Sequence, residues 1–283
     1  MHKEATRKRV IIAALCRKVG MSRQNYYAVK VKRRREAVDE GLVVDLVRRE
    51  RKLQPRIGCR KLHYMLTAEL ESNNVSIGRD RLFEILGARD MLIEPKRSLI
   101  KTTNSKHSLP VFRNLIKGMI PEKPHQIWVS DLTYIRTEEG FMYGALITDK
   151  MSRKIVGHHI GDTLESIGCQ EALKIALKQL PEGAKPVHHS DRGSQYCCHE
   201  YVKMLREGDL GISMTEELHC YENAMAERVN GILKQEYNLD ASFKTKDQAA
   251  KAFEQGIWLY NKKRPHLKLN YQTPQQVHEA AAA

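Results

Sequence analysis

No stretch of this 283-residue sequence is long and apolar enough to span a bilayer. The longest apolar run is Val10 to Cys16, whereas a membrane helix needs about 20 such residues. The basic N-terminus also lacks the apolar core and small-residue cleavage site of a signal peptide, which argues against secretion. Cys-x-x-Cys pairs are missing too. Cys16, Cys59, Cys169, Cys197, Cys198 and Cys220 are therefore expected as reduced thiols in a cytosol. His188, His189, Cys197, Cys198 and His199 lie close in sequence, but adjacent ligands make poor zinc spacing. Neighbouring side chains on a strand point to opposite faces.

Acidic residues are scarce in one part of the chain only. Residues 1–110 hold 26 Lys+Arg against 12 Asp+Glu, which accounts for the whole formal net charge of +14; residues 111–283 are balanced. With a pI of about 9.5, that asymmetry points to a polyanion, nucleic acid, as the partner of the N-terminal part. Hydrophobic residues make up 41% of the chain, enough to build a core.

The N-terminal region, 1–95, reads as helical pairs. Residues 4–18 carry Val10, Ile11, Ala14 and Leu15 on one stripe, and Gly20 breaks the pattern. Ser22 is a candidate N-cap for a second helix through Tyr26 and Tyr27. A helix, a Gly-containing turn and a helix make the helix-turn-helix pattern, in which the early residues of the second helix face the bases. Here these are Arg23, Gln24 and Asn25. A basic cluster, Lys30 to Arg35, and a helix over 36–52 come next. A second helical pair spans 59–70 and 78–92, with Arg56, Arg60, Lys61 and Arg81 expected on its outer face as DNA contacts. Residues 96–123 read as a linker.

From residue 124 the texture changes. Gln126 to Arg136 has strand composition, with apolar residues on both alternating faces, as in a central strand covered on both sides. Two further strands, 141–149 and 154–161, complete an antiparallel meander. A helix over 164–180 follows, with Ile167, Ala172, Ile175, Ala176 and Leu180 inward. The chain then gives a strand at 185–191, a helix at 199–208, a strand at 212–215 and helices at 223–237 and 246–261. This order predicts an α/β core, a mixed sheet flanked by helices, behind an all-α region.

Three carboxylates stand out. Asp131 lies mid-strand, Asp191 ends a later strand, and Glu227 follows after a gap of 35 residues, on a helix. Asn223, Glu227, Asn230 and Lys234 share one face of that helix, while Met225, Val229 and Ile232 lie opposite. Three carboxylates from separate elements suit two hard divalent cations, Mg²⁺ or Mn²⁺ in its place. Such a pair serves an in-line phosphoryl displacement. Lys234 is placed to hold a DNA phosphate.

Residues 124–275 resemble the catalytic core of the DDE insertion-sequence transposases and retroviral integrases. The resemblance rests on Trp128–Tyr134 (WVSDLTY), His189–Tyr196 (HSDRGSQY), Asn223-Ala224 ahead of Glu227, Lys234 with Glu236, and Tyr260–Pro274 (YNKKRPHLKLNYQTP). These strings are similar to the orfB type of two-frame bacterial insertion sequences, and residues 54–94 resemble the helix-turn-helix segment preceding the core in that group. The resemblance implies an RNase H-like fold and a DNA transposase that binds transposon ends and carries out strand cleavage and strand transfer. Asp131, Asp191 and Glu227 would be its catalytic and metal-binding residues. Asn223, Lys234, Tyr260, Arg264 and His266 would support the site or contact DNA, with Asn230 on the same polar face. It further implies a homo-oligomer on double-stranded DNA, partnership or frameshift fusion with an upstream orfA-type protein, and residence in the bacterial cytoplasm with the nucleoid. Glu222 departs from the family, which commonly has Asp there. No His-His-Cys-Cys module is present at the N-terminus, unlike retroviral integrases.

Two other readings compete. An RNase H-like nuclease that only hydrolyses leaves the basic N-terminal region without a use. A non-catalytic DNA-binding regulator leaves the acids without one. A tyrosine recombinase fits poorly, because Tyr260, Arg264 and His266 are bunched rather than dispersed.

Overall fold

The computed structural model describes residues 12–94, 108–216 and 222–282. The chain divides into two compact units, Met1–Glu50 with Met65–Leu92 and Arg51–Tyr64 with Ile93–Ala283. Among the described residues no helix is long and apolar enough to cross a membrane.

Among its described residues the first unit, which leaves the end of the second helix and the first half of the third to the second unit, is built of helices alone. The first, α1, covers residues 12–18 as described and ends at Gly20, whose φ of +67° is a left-handed stop. The part of the expected 4–18 helix before residue 12 lies outside the described residues. Ser22 Oγ accepts the Asn25 amide at 3.1 Å, the N-cap anticipated for α2. The sequence suggested two helices flanking a basic cluster, but α2 is one helix, Arg23–Leu53, of 31 residues. Lys and Arg are good helix formers, and Gly41 alone does not interrupt the run. Helices α3 (Cys59–Ser72) and α4 (Arg79–Gly87) form the second pair. Expected to reach Leu92, α4 stops earlier. Asp90 turns left-handed at φ 53°, and the Met91 amide closes back on the Leu86 carbonyl at 2.8 Å.

The second unit is built on a mixed sheet. Strands β1 (Ile127–Thr137), β2 (Gly140–Asp149) and β3 (Ile155–Gly161) form the antiparallel meander. Strand β4 (Val187–Ser190) pairs parallel to β1, and β5 (Gly211–Met214) parallel to β4. The order is β3-β2-β1-β4-β5, with the two-residue β6 (Ser242–Phe243) on the far end of β1. This is the mixed sheet the strand and helix order predicted.

Helices cover both faces, which explains why β1 is apolar on both. Trp128, Ala145, Ile147 and Val156 pack with α5 (Ser166–Lys178), α6 (Ser194–Cys197) and α7 (His199–Glu207). On the other face Ile135, Leu146 and Ile155 pack with α8 (Ala224–Glu236) and α9 (Lys246–Lys262). The C-terminal helix is α10 (Pro274–Ala282).

One packing detail corrects the sequence reading. Ile167, expected inward, is 56% exposed, and Cys169 and Leu173 take the buried positions beside Ala172 and Ala176. The helix lies down onto Gly157: a Cβ there would sit 2.2 Å from the Ala172 carbonyl oxygen. That approach turns the small Ala172/Ala176 stripe to the sheet. Residues 108–123 are likewise not a free linker. Leu109 and Phe112 pack on the Trp128 cluster, Ile116 is buried, and the Leu115 amide donates to Ser213 Oγ at 2.9 Å. The segment supplies enough apolar side chain to coat the sheet edge. The first part of the expected linker, 96–107, lies outside the described residues, as does Cys220; the other five cysteines are free thiols.

Candidate active site

The parallel pairing of β1 and β4 aligns Val129 with His189. Two residues further along each chain segment come Asp131, within β1, and Asp191, just past the end of β4. Glu227 stands in the first turn of α8, which packs on β1. The helix start is clamped there: Asn223 Nδ2 donates to the carbonyl of Ser130 at 3.0 Å. One turn beyond Glu227, Asn230 Nδ2 donates to Asp131 Oδ2 at 2.8 Å. Asp131 Oδ1 accepts the Leu132 amide at 2.9 Å, and Asp191 Oδ1 accepts the Gly193 amide at 2.9 Å.

These acids feel one another. Burial, and then the charge of Asp191, push Asp131 up to about 7; the Asn230 and Leu132 hydrogen bonds pull the other way, and Glu227 adds to the rise. Glu227 lies exposed at the rim of the site, yet it too is raised, by partial desolvation and by Asp191. Lys234 Nζ lies 4.0 Å from the centroid of the Tyr134 ring. Burial lowers its pKa, against the attraction of Asp131. Among the described residues no three His, Cys, Asp or Glu side chains stand close enough together to grip a metal ion as they are. The fit to a cation is one of charge and donor type: three oxygen-only ligands, two of them reluctant to ionise beside each other, are what a hard divalent ion relieves.

Other residues singled out by the sequence fall elsewhere. Arg23, Gln24 and Asn25 are exposed at the start of α2, and Arg60 is exposed on α3. Arg81 forms ion pairs with Glu40 at 2.7 Å and Glu84 at 2.8 Å. Arg56 donates to the Glu94 carbonyl at 2.6 Å. Lys61 does not decorate an outer face. It is 8% exposed, and its ammonium bonds Glu236 at 2.7 Å. Asn223 is 2% exposed, and its side chain is engaged in clamping α8 to the Ser130 carbonyl. Asn230, also buried, serves to orient Asp131. Arg264, 3% exposed, spans both Glu236 oxygens at 2.8 Å. His266 is half-buried, and burial beside the Arg264 charge lowers it to about 4. Neither Arg264 nor His266 joins the acids: with Tyr260 they line a separate cavity on the face of α8 turned away from Glu227.

Sequence reasoning missed the role of Glu236 as the hub of the Lys61–Arg264 pairs. Its signal was the unusual Lys-x-Glu string at Lys234–Glu236. The two strand histidines have structural duties. His188 Nε2 meets Ser130 Oγ at 2.6 Å and Tyr201 Oη at 2.9 Å, and His189 Nδ1 meets Ser213 Oγ at 2.8 Å. Glu222 accepts the Glu216 amide through its carboxylate.

The integrase core domain family matches residues 121–220, and a second integrase core domain family matches 209–274. A 31 kDa protein of insertion element IS600 from Shigella sonnei is 34% identical over 95% of this chain and 100% of its own length. The chain belongs to the insertion-sequence transposases with an integrase core. A transposase of element IS629 from Shigella sonnei is 32% identical over 71% of this chain and 66% of its own length. The InsF transposase of IS3A from Escherichia coli K12 is 30% identical over 60% of each. Among solved structures, the magnesium-bound integrase core of HTLV-2 is similar at 20% identity and a TM-score of 0.45, covering 56% of this chain and 98% of that one. A chain of the simian T-cell lymphotropic virus intasome in complex with a PP2A regulatory subunit is similar at 19% identity and a TM-score of 0.49, covering 78% of this chain and 74% of that one. In this transposase the first matched stretch contains Asp131 and Asp191, and the second contains Glu227 and the Tyr260–His266 string.

Proposed function

We propose that this transposase cleaves DNA at the ends of its element and joins them to a target by in-line phosphoryl transfer, with Asp131, Asp191 and Glu227 as the acids of the reaction. Two observations support this reading: Asn223 and Asn230 tie the start of α8 to β1 beside Asp131, and partial burial and the Asp191 charge hold both Asp131 and Glu227 above their usual carboxylate range. Asp131 and Asp191 would hold Mg²⁺, with Glu227 completing a site for a second ion. Bound there, Mg²⁺ supplies Lewis-acid stabilisation of the developing phosphoryl charge and a more acidic attacking water. The chain's own part is to position. Asn230 and the Leu132 amide fix the Asp131 carboxylate, the Gly193 amide fixes Asp191, and Asn223 anchors the helix that carries Glu227.

Water attacks first, releasing a DNA 3′-hydroxyl, and that hydroxyl attacks the target phosphodiester second. Among the described residues, Cys169, Tyr196 and Cys197 feel the charge of the acids, but burial pushes each of them up, away from the ionised form a covalent attacker needs. The basic N-terminal region carries most of the affinity for duplex DNA, and the protein acts as a homo-oligomer on DNA, together with an orfA-type partner or as a fusion with one. Supplying pre-cut ends with a free 3′-hydroxyl tests the reading: strand transfer proceeds with Mg²⁺ and without ATP. Hydrolysis of ends without any joining would instead favour a plain RNase H-like nuclease.

A further inference from the structure

On the face of α8 away from Glu227 lies a cavity of about 590 Å³. Its walls come from chain segments far apart in sequence: Lys61, Arg153, the α8 face from Ala224 to Ile232, and Tyr260 to Lys268. Five of the lining side chains are Lys or Arg, and none is Asp or Glu. Glu236, the neighbouring acid, is spent on Lys61 and Arg264. Arg153, Arg228 and Lys268 make no ion pair with any described residue.

The interior also holds unmet hydrogen-bonding capacity. Arg264 Nη1, Arg153 Nε, Tyr260 Oη and His266 Nδ1 are buried without partners. Such groups are costly in a folded protein unless something absent completes them. The crowding of positive charge shows in titration as well. Burial and the Arg264 charge bring Lys61 down to about 8, and burial with Arg264, Arg153 and Lys61 brings His266 down to about 4. The first turn of α8, Ala224 and Met225, also lines the cavity and brings the positive end of the helix dipole to it. Three guanidiniums favour an anion with several oxygens in a fork geometry, and phosphate is the best match. Val229, Ile232 and Leu267 offer an apolar wall beside the charges, suited to the sugar attached to a phosphodiester rather than to a free inorganic ion.

We propose that this cavity receives a backbone phosphodiester of the DNA that the transposase acts on. Arg228 and Lys268 at the exposed rim capture it, and Arg153, Arg264 and His266 complete its shell. The proposal rests on the DNA-processing role given above and adds a DNA contact on the reverse of the catalytic helix, so that one helix would carry Glu227 on one face and a strand anchor on the other.

The test is binding of the full chain to a short duplex in EDTA, read by fluorescence anisotropy across a KCl series. No chemistry enters this measurement, so it is independent of whether the acids catalyse. The variant is Arg228→Gln with Lys268→Gln, two exposed residues outside the Glu236 network. The comparator is Lys178→Gln with Arg206→Gln, equal in charge change and exposed on α5 and α7. The rim variant is expected to bind about tenfold more weakly at low salt, with the log–log salt slope reduced by about one, the signature of one lost phosphate contact. The comparator is expected to change both by clearly less. Equal losses in the two variants would reduce the cavity to general surface charge and overturn the proposal. An unchanged slope in the rim variant, with inorganic phosphate still raising the melting temperature of the wild type but not of the variant, would make this a free-anion site and overturn it too. Should the double variant melt early, Lys268→Gln alone is read by the same criteria, with about half the loss in affinity expected and no loss counting against the proposal.

Discussion

Asp131 ties the chemistry to a measurable property of the folded chain. Its folded pKa of about 7 lies above the ordinary 3.8. The folded state therefore binds more protons than the unfolded one between those values, and the stability linked to that proton is full below about pH 4 and lost as pH rises through 7. Asp131→Asn removes the penalty. Without Mg²⁺, the variant is expected to be more stable than wild type by roughly 1–3 kcal/mol at pH 8, a range discounted for solvent reaching the carboxylate. The gap should close toward pH 4, as followed by thermal melting, while cleavage is lost altogether. A variant that melts no higher at pH 8 than wild type would contradict the burial of this charge. Asn230→Ala removes the side-chain donor that holds Asp131 down. The acid limb of the cleavage profile should then move up by about one pH unit, with the residual activity restored at higher pH. Loss of activity at every pH would mean a purely structural role for Asn230. The placement of the three acids on a strand, just past a strand end and on a helix was legible in sequence, because those elements leave their mark in spacing and composition. The amide partner of Asp131 was legible only as a member of the polar stripe. Its target depends on how α8 lies across β1, which a helical wheel does not give.

At the scale of elements, the antiparallel meander and the helical cover on both faces of the sheet follow from strand composition and from apolar residues on both sides of β1. The exceptions have local physical causes. A basic run was read as a break in α2, although Lys and Arg extend helices readily. The inward face of α5 was mis-phased because its contact is set by a missing side chain at Gly157, not by its largest apolar residues. Gly157→Ala should push the Ala172 carbonyl off β3 and cost about 2–3 kcal/mol in urea unfolding; a cost under about 0.5 kcal/mol would show that α5 is free to shift. Thr245 caps α9 by accepting the Gln248 amide at 3.2 Å, and Thr245→Ala should cost about 1 kcal/mol. The cavity behind α8 had no sequence signature as a whole, since Lys61, Arg153, Arg228 and Lys268 come from separate segments that only the fold brings together.

Over the whole molecule, charge and chemistry are divided along the chain. The excess of positive charge sits in residues 1–110, and the acids sit in the core that follows. Replacing Lys30, Lys32, Arg33 and Arg35, all exposed on α2, by Gln in the full chain should lower the salt slope of duplex binding by about three and leave the melting temperature nearly unchanged. An unaltered slope would place the DNA affinity elsewhere. The central claim is direct transesterification governed by three acids, and stereochemistry tests it most directly. Pre-cut ends of the element are joined, with Mg²⁺, to target DNA carrying a chiral phosphorothioate, alongside Asp131→Asn, Asp191→Asn and Glu227→Gln chains. The account predicts a single inversion at phosphorus with the wild-type chain and no joining by any of the three variants. Retention of configuration, a protein–DNA adduct trapped in denaturant, or near-normal joining by one of the variants would contradict it.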